Sequence, residues 1–222
     1  MKTIYIIRHG QTEYNKLKLV QGSGINSNLN EVGWKQAEAF FSKYQHISFD
    51  RIYTSKLKRT HQTVRKFIEQ SIPWDQHLGL NEISWGEKEG RVISAEDDAR
   101  YSRMLNAWRN GDYTQKEENG ESPQEVQDRQ VQAWEKIMDR AHEKNILVCS
   151  HGRAIRILLC YLLECPLSEM DRFAHSNTCL YVLKFNGEKY TLELENDVAH
   201  LEGLGWNTPL QSETKQHEEN KH

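Results

Sequence analysis

Long apolar runs, an excess of charge of either sign and paired cysteines are all missing from this sequence of 222 residues. No stretch of apolar side chains approaches the roughly 20 residues that a membrane-spanning helix needs. The 29 Lys and Arg residues face 32 Asp and Glu residues, a net charge of -3, so the chain lacks the basic excess that binding a phosphodiester backbone requires. These absences predict a protein that neither spans a membrane nor binds nucleic acid.

The four cysteines show no CxxC spacing, and each lies in an apolar stretch of sequence; they are Cys149, Cys160, Cys165 and Cys179. This pattern favours reduced, mostly buried thiols over disulfides or a zinc site, and neither a metal nor a cofactor is predicted. The N-terminal apolar run is shorter than the core of a signal peptide. We therefore expect a cytoplasmic protein.

Aromatic residues are present in good supply, with six Trp, nine Tyr and six Phe, and they predict a packed core. Short β-branched or apolar runs predict strands at residues 3–7, 50–53 and 146–149, and a terminal hairpin at 179–185 and 190–195. Helices are expected to begin after Asn30 and Ser55 as capping residues and at the capping box that starts with Ser122, and a further helix is expected to follow the strand at 146–149.

Strands that alternate with helices predict an α/β fold, a three-layer α/β/α sandwich with a mainly parallel sheet, an antiparallel edge hairpin and a small cap insertion. The insertion corresponds to about residues 91–120, which are polar and partly helical in pattern. Residues 1–206 are expected to form a single domain. Residues 207–222 are expected to be a disordered tail, because they carry hardly any apolar side chains.

Histidine and arginine residues occur where predicted parallel strands end. The first strand ends at Arg8-His9, a later strand ends just before His151, and Arg59 lies in the first turns of the helix after the second strand. Because ligands of such folds bind at the carboxyl edge of the sheet, these four side chains are expected to share one crevice. Guanidinium groups and helix N-termini suit phosphate geometry, which predicts an oxyanion site.

Other roles for the same residues, structural or metal-binding, stay open at this stage. A single histidine is more often a hydrogen-bonded or surface residue than a catalyst, and Arg59 alone would be a solvated helix residue. Two histidines can also ligate a metal, but no third ligand accompanies them at a typical spacing. The strand-end pattern by itself predicts an anion site and no particular reaction.

The sequence resembles the histidine phosphatase superfamily, also called phosphoglycerate mutase-like. The similarity runs from about residue 2 to residue 200 and consists of several spaced motifs in the same order. These motifs are residues 8–15 (RHGQTEYN), 21–22 (QG), 29–33 (LNEVG), 55–60 (SKLKRT), 80–83 (LNEI), 86–90 (GEKEG), 120–122 (GES) and 150–152 (SHG).

The resemblance implies a phosphoglycerate mutase-like catalytic domain with a phosphohistidine intermediate. His9 would be the nucleophile that accepts the phosphoryl group, and Glu82 the general acid that protonates the leaving alkoxide and then activates water. A histidine attacks only through an unprotonated nitrogen, so a bond from its other ring nitrogen to a backbone carbonyl is expected. The implied phosphate ligands are Arg8, Arg59 and His151, with Asn15, Gln21, Gly22 and Gly152 as further substrate contacts.

Members of this superfamily are phosphatases or mutases. Residues 91–120 carry five basic and six acidic residues, a poor cradle for a bisphosphate, which favours a phosphomonoesterase over a mutase. The enzyme is expected to be metal-independent, because the arginines would supply the charge that a divalent ion supplies in other phosphoryl-transfer sites. A 2,3-bisphosphoglycerate-dependent phosphoglycerate mutase is the alternative within the family. A non-catalytic module that binds a phospho-ligand or a protein is the alternative of another class. The expected partner is a small phosphorylated substrate, and the sequence allows a monomer or a homodimer.

Overall fold

The computed structural model describes residues 1–92 and 94–204. Within these ranges six strands form one sheet: β1 (Lys2–Arg8), β2 (Arg51–Thr54), β3 (Trp74–Gln76), β4 (Asn145–Ser150), β5 (Leu180–Phe185) and β6 (Tyr190–Asp197). Their order across the sheet is β3-β2-β4-β1-β5-β6. The first four are parallel, whereas β5 and β6 are antiparallel at one edge. The predicted mainly parallel sheet with an edge hairpin is confirmed.

Seven α-helices accompany the strands in the described part of the chain: α1 (Glu13–Lys16), α2 (Glu31–Tyr44), α3 (Lys58–Thr63), α4 (Arg65–Glu69), α5 (Ala95–Arg109), α6 (Pro123–Met138) and α7 (Gly152–Leu162). Single turns of 3-10 helix occur at Leu78–Leu80, Gly86–Lys88 and Ala199–Leu201, and a longer one at Leu167–Arg172. None of the helices in the described ranges is long and apolar enough to cross a membrane.

Helices cover both faces of the sheet because successive strand residues point to opposite sides. Ile146 and Val148 of β4 pack in a core with apolar residues of α5, α6 and α7. Leu147 and Cys149 pack on the other side with Phe40 of α2 and with residues of α4. The two cores confirm the predicted three layers.

Two predicted helix starts are confirmed. Asn30 caps α2 by accepting a hydrogen bond from the backbone N–H of Gly33, at 2.9 Å. Ser122 and Glu125 form a capping box at the start of α6, with Pro123 in the first turn. Both ends satisfy backbone donors that would otherwise lack partners.

One prediction for the region around β2 is corrected, and one strand was not predicted. Ser55 does not cap a helix: α3 begins at Lys58 with Leu57 in the capping position, and α4 follows separately after Val64. The strand Trp74–Gln76 was missed, because three half-buried residues with polar members carry no period-2 signal.

The predicted insertion contains α5, whose N-terminus is a capping box formed by Ser94 and Asp97. Met104 and Trp108 of this helix are buried and join the core of α6 and α7. Trp108 is therefore a packing residue, and it fixes α5 next to the first turns of α7. The expected tail at 207–222 lies outside the described residues.

Candidate active site

Two neighbouring parallel strands bring the two strand-end histidines together. In the pairing of β1 with β4, Arg8 lies opposite Ser150, so the residues that follow, His9 and His151, leave the sheet side by side. Their ring centroids are 5.1 Å apart, although the residues are far apart in sequence. The predicted crevice is formed by sheet register.

The ring of His9 is held in one tautomer. Its Nδ1 lies 2.7 Å from the backbone carbonyl oxygen of Gly10, which can only accept, so Nδ1 carries the proton and Nε2 has a lone pair. Burial, followed by the nearby charges of Arg59 and Arg8, lowers the pKa of His9 well below its ordinary value. His9 is therefore neutral at pH 7 and offers an unprotonated nitrogen. The carbonyl bond expected from the sequence is present.

Arg59 is almost fully buried, and all three nitrogens of its guanidinium group donate hydrogen bonds. Nη1 donates to the carbonyl of Ile25 at 2.6 Å, Nη2 to that of Gly22 at 3.2 Å, and Nε to Nδ1 of His151 at 3.2 Å. Burial lowers the pKa of Arg59 to about 10, with the carboxylate of Glu82 opposing the shift. The group stays charged at neutral pH in an interior where charge interactions are strong.

His151 has the opposite tautomer. Because its Nδ1 accepts from Arg59, Nε2 carries the proton and donates to Oγ of Ser55 at 2.8 Å. Burial and the charge of Arg59 lower the pKa of His151 well below its ordinary value. Ser55, predicted to cap a helix, instead orients a histidine of the crevice.

Arg8 closes the other side of the crevice. Its Nη1 donates to the backbone carbonyl of His175, and burial followed by the charge of Arg8 lowers the pKa of the His175 ring. Gly152 lies directly against both: a Cβ atom there would come within 2.7 Å of Cδ2 of His175 and 3.4 Å of Nε of Arg8. Only glycine lets the start of α7 approach this closely.

The carboxylate of Glu82 is buried at the N-terminus of α7. Oε1 accepts from the backbone N–H groups of Ile83 at 3.0 Å and Ala154 at 2.9 Å, and Oε2 accepts from that of Arg153 at 3.2 Å. His151, in the capping position of α7, gives no side-chain cap. Glu82 therefore caps this helix from a distant part of the chain and lies at the crevice.

Three further predicted residues, Asn15, Gln21 and Gly22, lie in α1 and in the loop that follows it. Asn15 belongs to the capping box of α1 with Thr12, and its Oδ1 also lies 3.4 Å from Nδ2 of Asn177. Gln21 bridges Thr12 and Ser27 through its amide, at 2.7 Å on each side. These contacts order the loop, and the predicted substrate contacts of Asn15, Gln21 and Gly22 stay predictions.

Several residues of the site were missed. Thr63 accepts the backbone N–H of Gly10 at 2.9 Å, and Asn177 donates to the carbonyl of His9 at 3.1 Å. His175 and Asn177 come from the segment before β5, which has no chemical motif of its own. Glu89 lies in the motif at residues 86–90, and a Cβ atom at Gly22 would come within 2.2 Å of its carboxylate.

This arrangement can bind a tetrahedral dianion and exchange a phosphoryl group with a nitrogen nucleophile. It combines a neutral histidine with a free lone pair, two guanidinium groups and a buried carboxylate at a helix N-terminus. In the described ranges no three His, Cys, Asp or Glu side chains group as metal ligands. The fold is of the α/β class, and the site has the kinds of side chain that phosphoryl transfer uses.

The chain belongs to the histidine phosphatase superfamily (branch 1), whose sequence pattern it matches over residues 4–198. It is 30% identical over 183 residues to the adenosylcobalamin/alpha-ribazole phosphatase of Salmonella typhimurium, covering 79% of this chain and 87% of that protein. It is 29% identical over 211 residues to phosphoglycerate mutase-like protein 4 of Arabidopsis thaliana, covering 91% and 88%.

Solved structures agree with this assignment. The phosphoserine phosphatase of Entamoeba histolytica, crystallised with 3-phosphoglyceric acid, superposes with a TM-score of 0.79 at 27% identity. The alignment covers 90% of this chain and all of that one. The family resemblance and the fold expected from the sequence are confirmed.

Proposed function

We propose that this chain is a phosphomonoester hydrolase that acts on a small phosphorylated metabolite through phosphorylated His9. The observation that carries the proposal is the bond from Nδ1 of His9 to the carbonyl of Gly10, inside a pocket of two arginines. It leaves Nε2 as the one ring nitrogen of His9 that can attack phosphorus.

The reaction has two steps. The substrate binds as its monoanion and transfers its phosphate proton to the carboxylate of Glu82. Nε2 of His9 bonds to phosphorus while the ester P–O bond breaks, and Glu82 gives that proton to the departing alkoxide. In the second step Glu82 takes a proton from water, whose oxygen displaces His9 from phosphorus, and inorganic phosphate leaves with that proton. Arg8, Arg59 and His151 stabilise the charge on the transferring oxygens in both steps.

The charges of the insertion support hydrolysis over mutase activity. A mutase must hold a bisphosphate intermediate, which needs additional cations near the pocket. Arg100 lies 3.0 Å from Glu117, Lys116 lies 2.6 Å from Glu125, and Arg109 lies 3.5 Å from the carboxylate of Asp171. Acidic partners therefore neutralise much of the positive charge that the insertion carries.

The relatives support the same choice of substrate class. The Salmonella typhimurium protein is named an adenosylcobalamin/alpha-ribazole phosphatase and the Entamoeba histolytica protein a phosphoserine phosphatase. Phosphoserine is a small molecule that carries one phosphate ester. We propose a compact phosphomonoester of this kind as the substrate of the present chain.

The test is phosphate release from p-nitrophenyl phosphate in excess chelator, with wild type, His9→Ala and His77→Ala compared. His77 is a half-buried histidine beside Tyr53, away from the crevice, and serves as the matched control. We expect turnover in wild type and His77→Ala and at least a 100-fold loss in His9→Ala. Alkaline quench should trap label from a 32P substrate on wild type, and acid should release it.

Three outcomes would contradict the proposal. Equal rates in wild type and His9→Ala would remove His9 as the nucleophile. Loss of activity in chelator, restored by a divalent ion, would assign a metal to the reaction. Isomerisation of phosphoglycerate that outpaces phosphate release would identify a mutase instead.

A further inference from the structure

The peptide unit between His9 and Gly10 is held at both of its ends. Its carbonyl oxygen accepts from Nδ2 of Asn177 at 3.1 Å and from the backbone N–H of Thr178 at 3.4 Å. Its N–H donates to Oγ1 of Thr63 at 2.9 Å. Because the ring of His9 is bonded to the next carbonyl, that of Gly10, any rotation of this peptide would move the ring as well.

Thr178 adopts a backbone conformation that its side chain disfavours. Its φ is +56°, in the left-handed region, where a β-branched residue is a genuine outlier. Such strain persists only where surrounding contacts impose it. Thr178 is fully buried, and its hydroxyl donates to the carbonyl of Asn177 at 2.8 Å.

The side chain of His200 forms a hydrogen bond with the hydroxyl of Thr178. Its Nε2 lies 3.0 Å from Oγ1 of Thr178, whose own proton is already used, so Nε2 carries a proton and donates. The other nitrogen, Nδ1, is buried with no hydrogen-bond partner among the described residues, and the ring packs against Phe40 and Tyr44. Burial lowers the pKa of His200 to about 4, so the ring is neutral at pH 7.

We propose that Thr178 and His200 are positioning residues for the nucleophile: His200 holds the hydroxyl of Thr178, and the turn at 176–178 fixes the carbonyl of His9. The inference rests on the proposed function for its kinetic consequence. Its structural content, the orientation of the His9 ring, stands independently. Neither side chain touches the substrate pocket itself.

An explanation based on stability alone makes a different prediction. Replacing Thr178 by glycine removes the strain of the positive φ but leaves the buried Nε2–H of His200 without its acceptor, so a residue with only a structural role should change stability while activity stays normal. The proposed role requires the opposite for activity, since the hydroxyl that His200 holds is lost. Thr178→Gly therefore separates the two explanations.

The first measurement is independent of catalysis. 15N spectra of histidine-labelled protein report the tautomer of His9, and wild type should show protonated Nδ1 and unprotonated Nε2 between pH 6 and 8. We expect Thr178→Gly and His200→Leu to give both tautomers of His9 or exchange-broadened signals. Thr178→Ser and His200→Gln, which keep the hydroxyl and the donor, should retain the wild-type pattern.

Tyr44→Phe is the matched control, because it removes the bond from the Tyr44 hydroxyl to Asp197 on the same face without a link to His9. An unchanged His9 spectrum in folded Thr178→Gly, or equal changes in Tyr44→Phe, would overturn the inference. If Thr178→Gly does not fold, His200→Leu against His200→Gln makes the same comparison.

The second measurement is the single-turnover rate of phosphoryl transfer to the enzyme, with KM measured alongside. We expect at least a tenfold lower transfer rate in Thr178→Gly, a KM within twofold of wild type, and recovery to within threefold in Thr178→Ser. A normal transfer rate in a variant with disturbed His9 signals would overturn the kinetic role. If the wild type transfers no phosphoryl group while the variants show altered His9 spectra, the proposed function is refuted and the positioning of His9 is still established.

Discussion

Replacing Glu82 by glutamine should lower the free energy of unfolding and also slow the reaction, and the two effects can be measured separately. The carboxylate accepts three backbone N–H groups, from Ile83, Arg153 and Ala154, and two of these open α7. His151 offers that helix end no side-chain cap. Glu82→Gln keeps the shape of the side chain while it removes the charge and turns one acceptor oxygen into an NH₂ group.

The size of the loss in stability follows from these contacts. An NH₂ group facing the N–H of Arg153 leaves a buried donor unsatisfied, which costs about 1–3 kcal/mol. The remaining bonds become neutral, and a negative charge near a helix N-terminus contributes a further 0.3–1 kcal/mol or so. We expect the free energy of unfolding to fall by about 1.3–4 kcal/mol, measured from urea unfolding with an unchanged m value.

The effect on catalysis should depend on the leaving group. A nitrophenolate departs without help from an acid, whereas an alkoxide needs a proton in the transition state, a contribution of about 10²–10⁴-fold. Glu82→Gln should therefore reduce kcat far more for an alkyl phosphomonoester than for p-nitrophenyl phosphate. Single-turnover rates with both substrates measure the ratio directly.

Glu143→Gln is the matched control for this prediction. Glu143 is a buried carboxylate just before β4, at the opposite end of that strand from His151, where it binds Arg51 at 2.5 Å and the hydroxyl of Tyr53 at 2.6 Å. Its replacement should also destabilise the fold but leave the ratio between the two substrates unchanged. An equal ratio in Glu82→Gln and wild type would refute the assignment of Glu82 as the acid, and a stability loss below about 0.5 kcal/mol would refute its role as a helix cap.

Three further outcomes are expected. The pKa of His200 is about 4 in the folded protein, so the unfolded chain binds more protons between pH 4 and 6.5 and the free energy of unfolding falls as the pH drops. The variant His200→Gln has no titrating group at this position. Between pH 7 and pH 4 its free energy of unfolding, measured in urea, should fall by about 3 kcal/mol less than that of wild type. Gly152→Ala should weaken inhibition by vanadate at least tenfold, as its Cβ presses on His175 and Arg8, and unchanged inhibition would contradict the packing. Arg59→Lys should reduce kcat/KM by about 100-fold or more, since one ammonium group cannot replace three directed N–H contacts, and a loss below about tenfold would be inconsistent with them.

The parts of this fold that follow from local pattern were predictable. The strand containing Ile4 and Ile6 and the strand containing Val148 are short apolar runs in an α/β context, and such strands become parallel neighbours with their carboxyl ends at one edge. That rule alone brought His9 and His151 to the same crevice. The capping residue Asn30 was equally readable, because its side chain acts within its own turn.

The unpredicted parts depend on contacts between distant segments. Ser55 is a reasonable helix cap by residue type, yet its oxygen accepts from His151, 96 positions along the chain. Thr178 carries a backbone angle that no propensity favours, and only the surrounding bonds explain it. Glu82 lies in a recognisable motif, but its action as a cap for α7 becomes visible only in three dimensions.

The two histidines of the crevice are not equivalent, and the difference comes from their neighbours. In His151 both ring nitrogens are engaged, Nδ1 by the donor of Arg59 and Nε2 as a donor to Ser55, so the ring has no lone pair to offer. In His9, among residues 1–92 and 94–204, only Nδ1 is engaged, by the carbonyl of Gly10, which leaves the lone pair on Nε2. Under the proposed function, the attacking residue can therefore be His9 alone. His151 can assist only as an N–H donor, once a phosphate oxygen replaces Ser55 as the acceptor on Nε2.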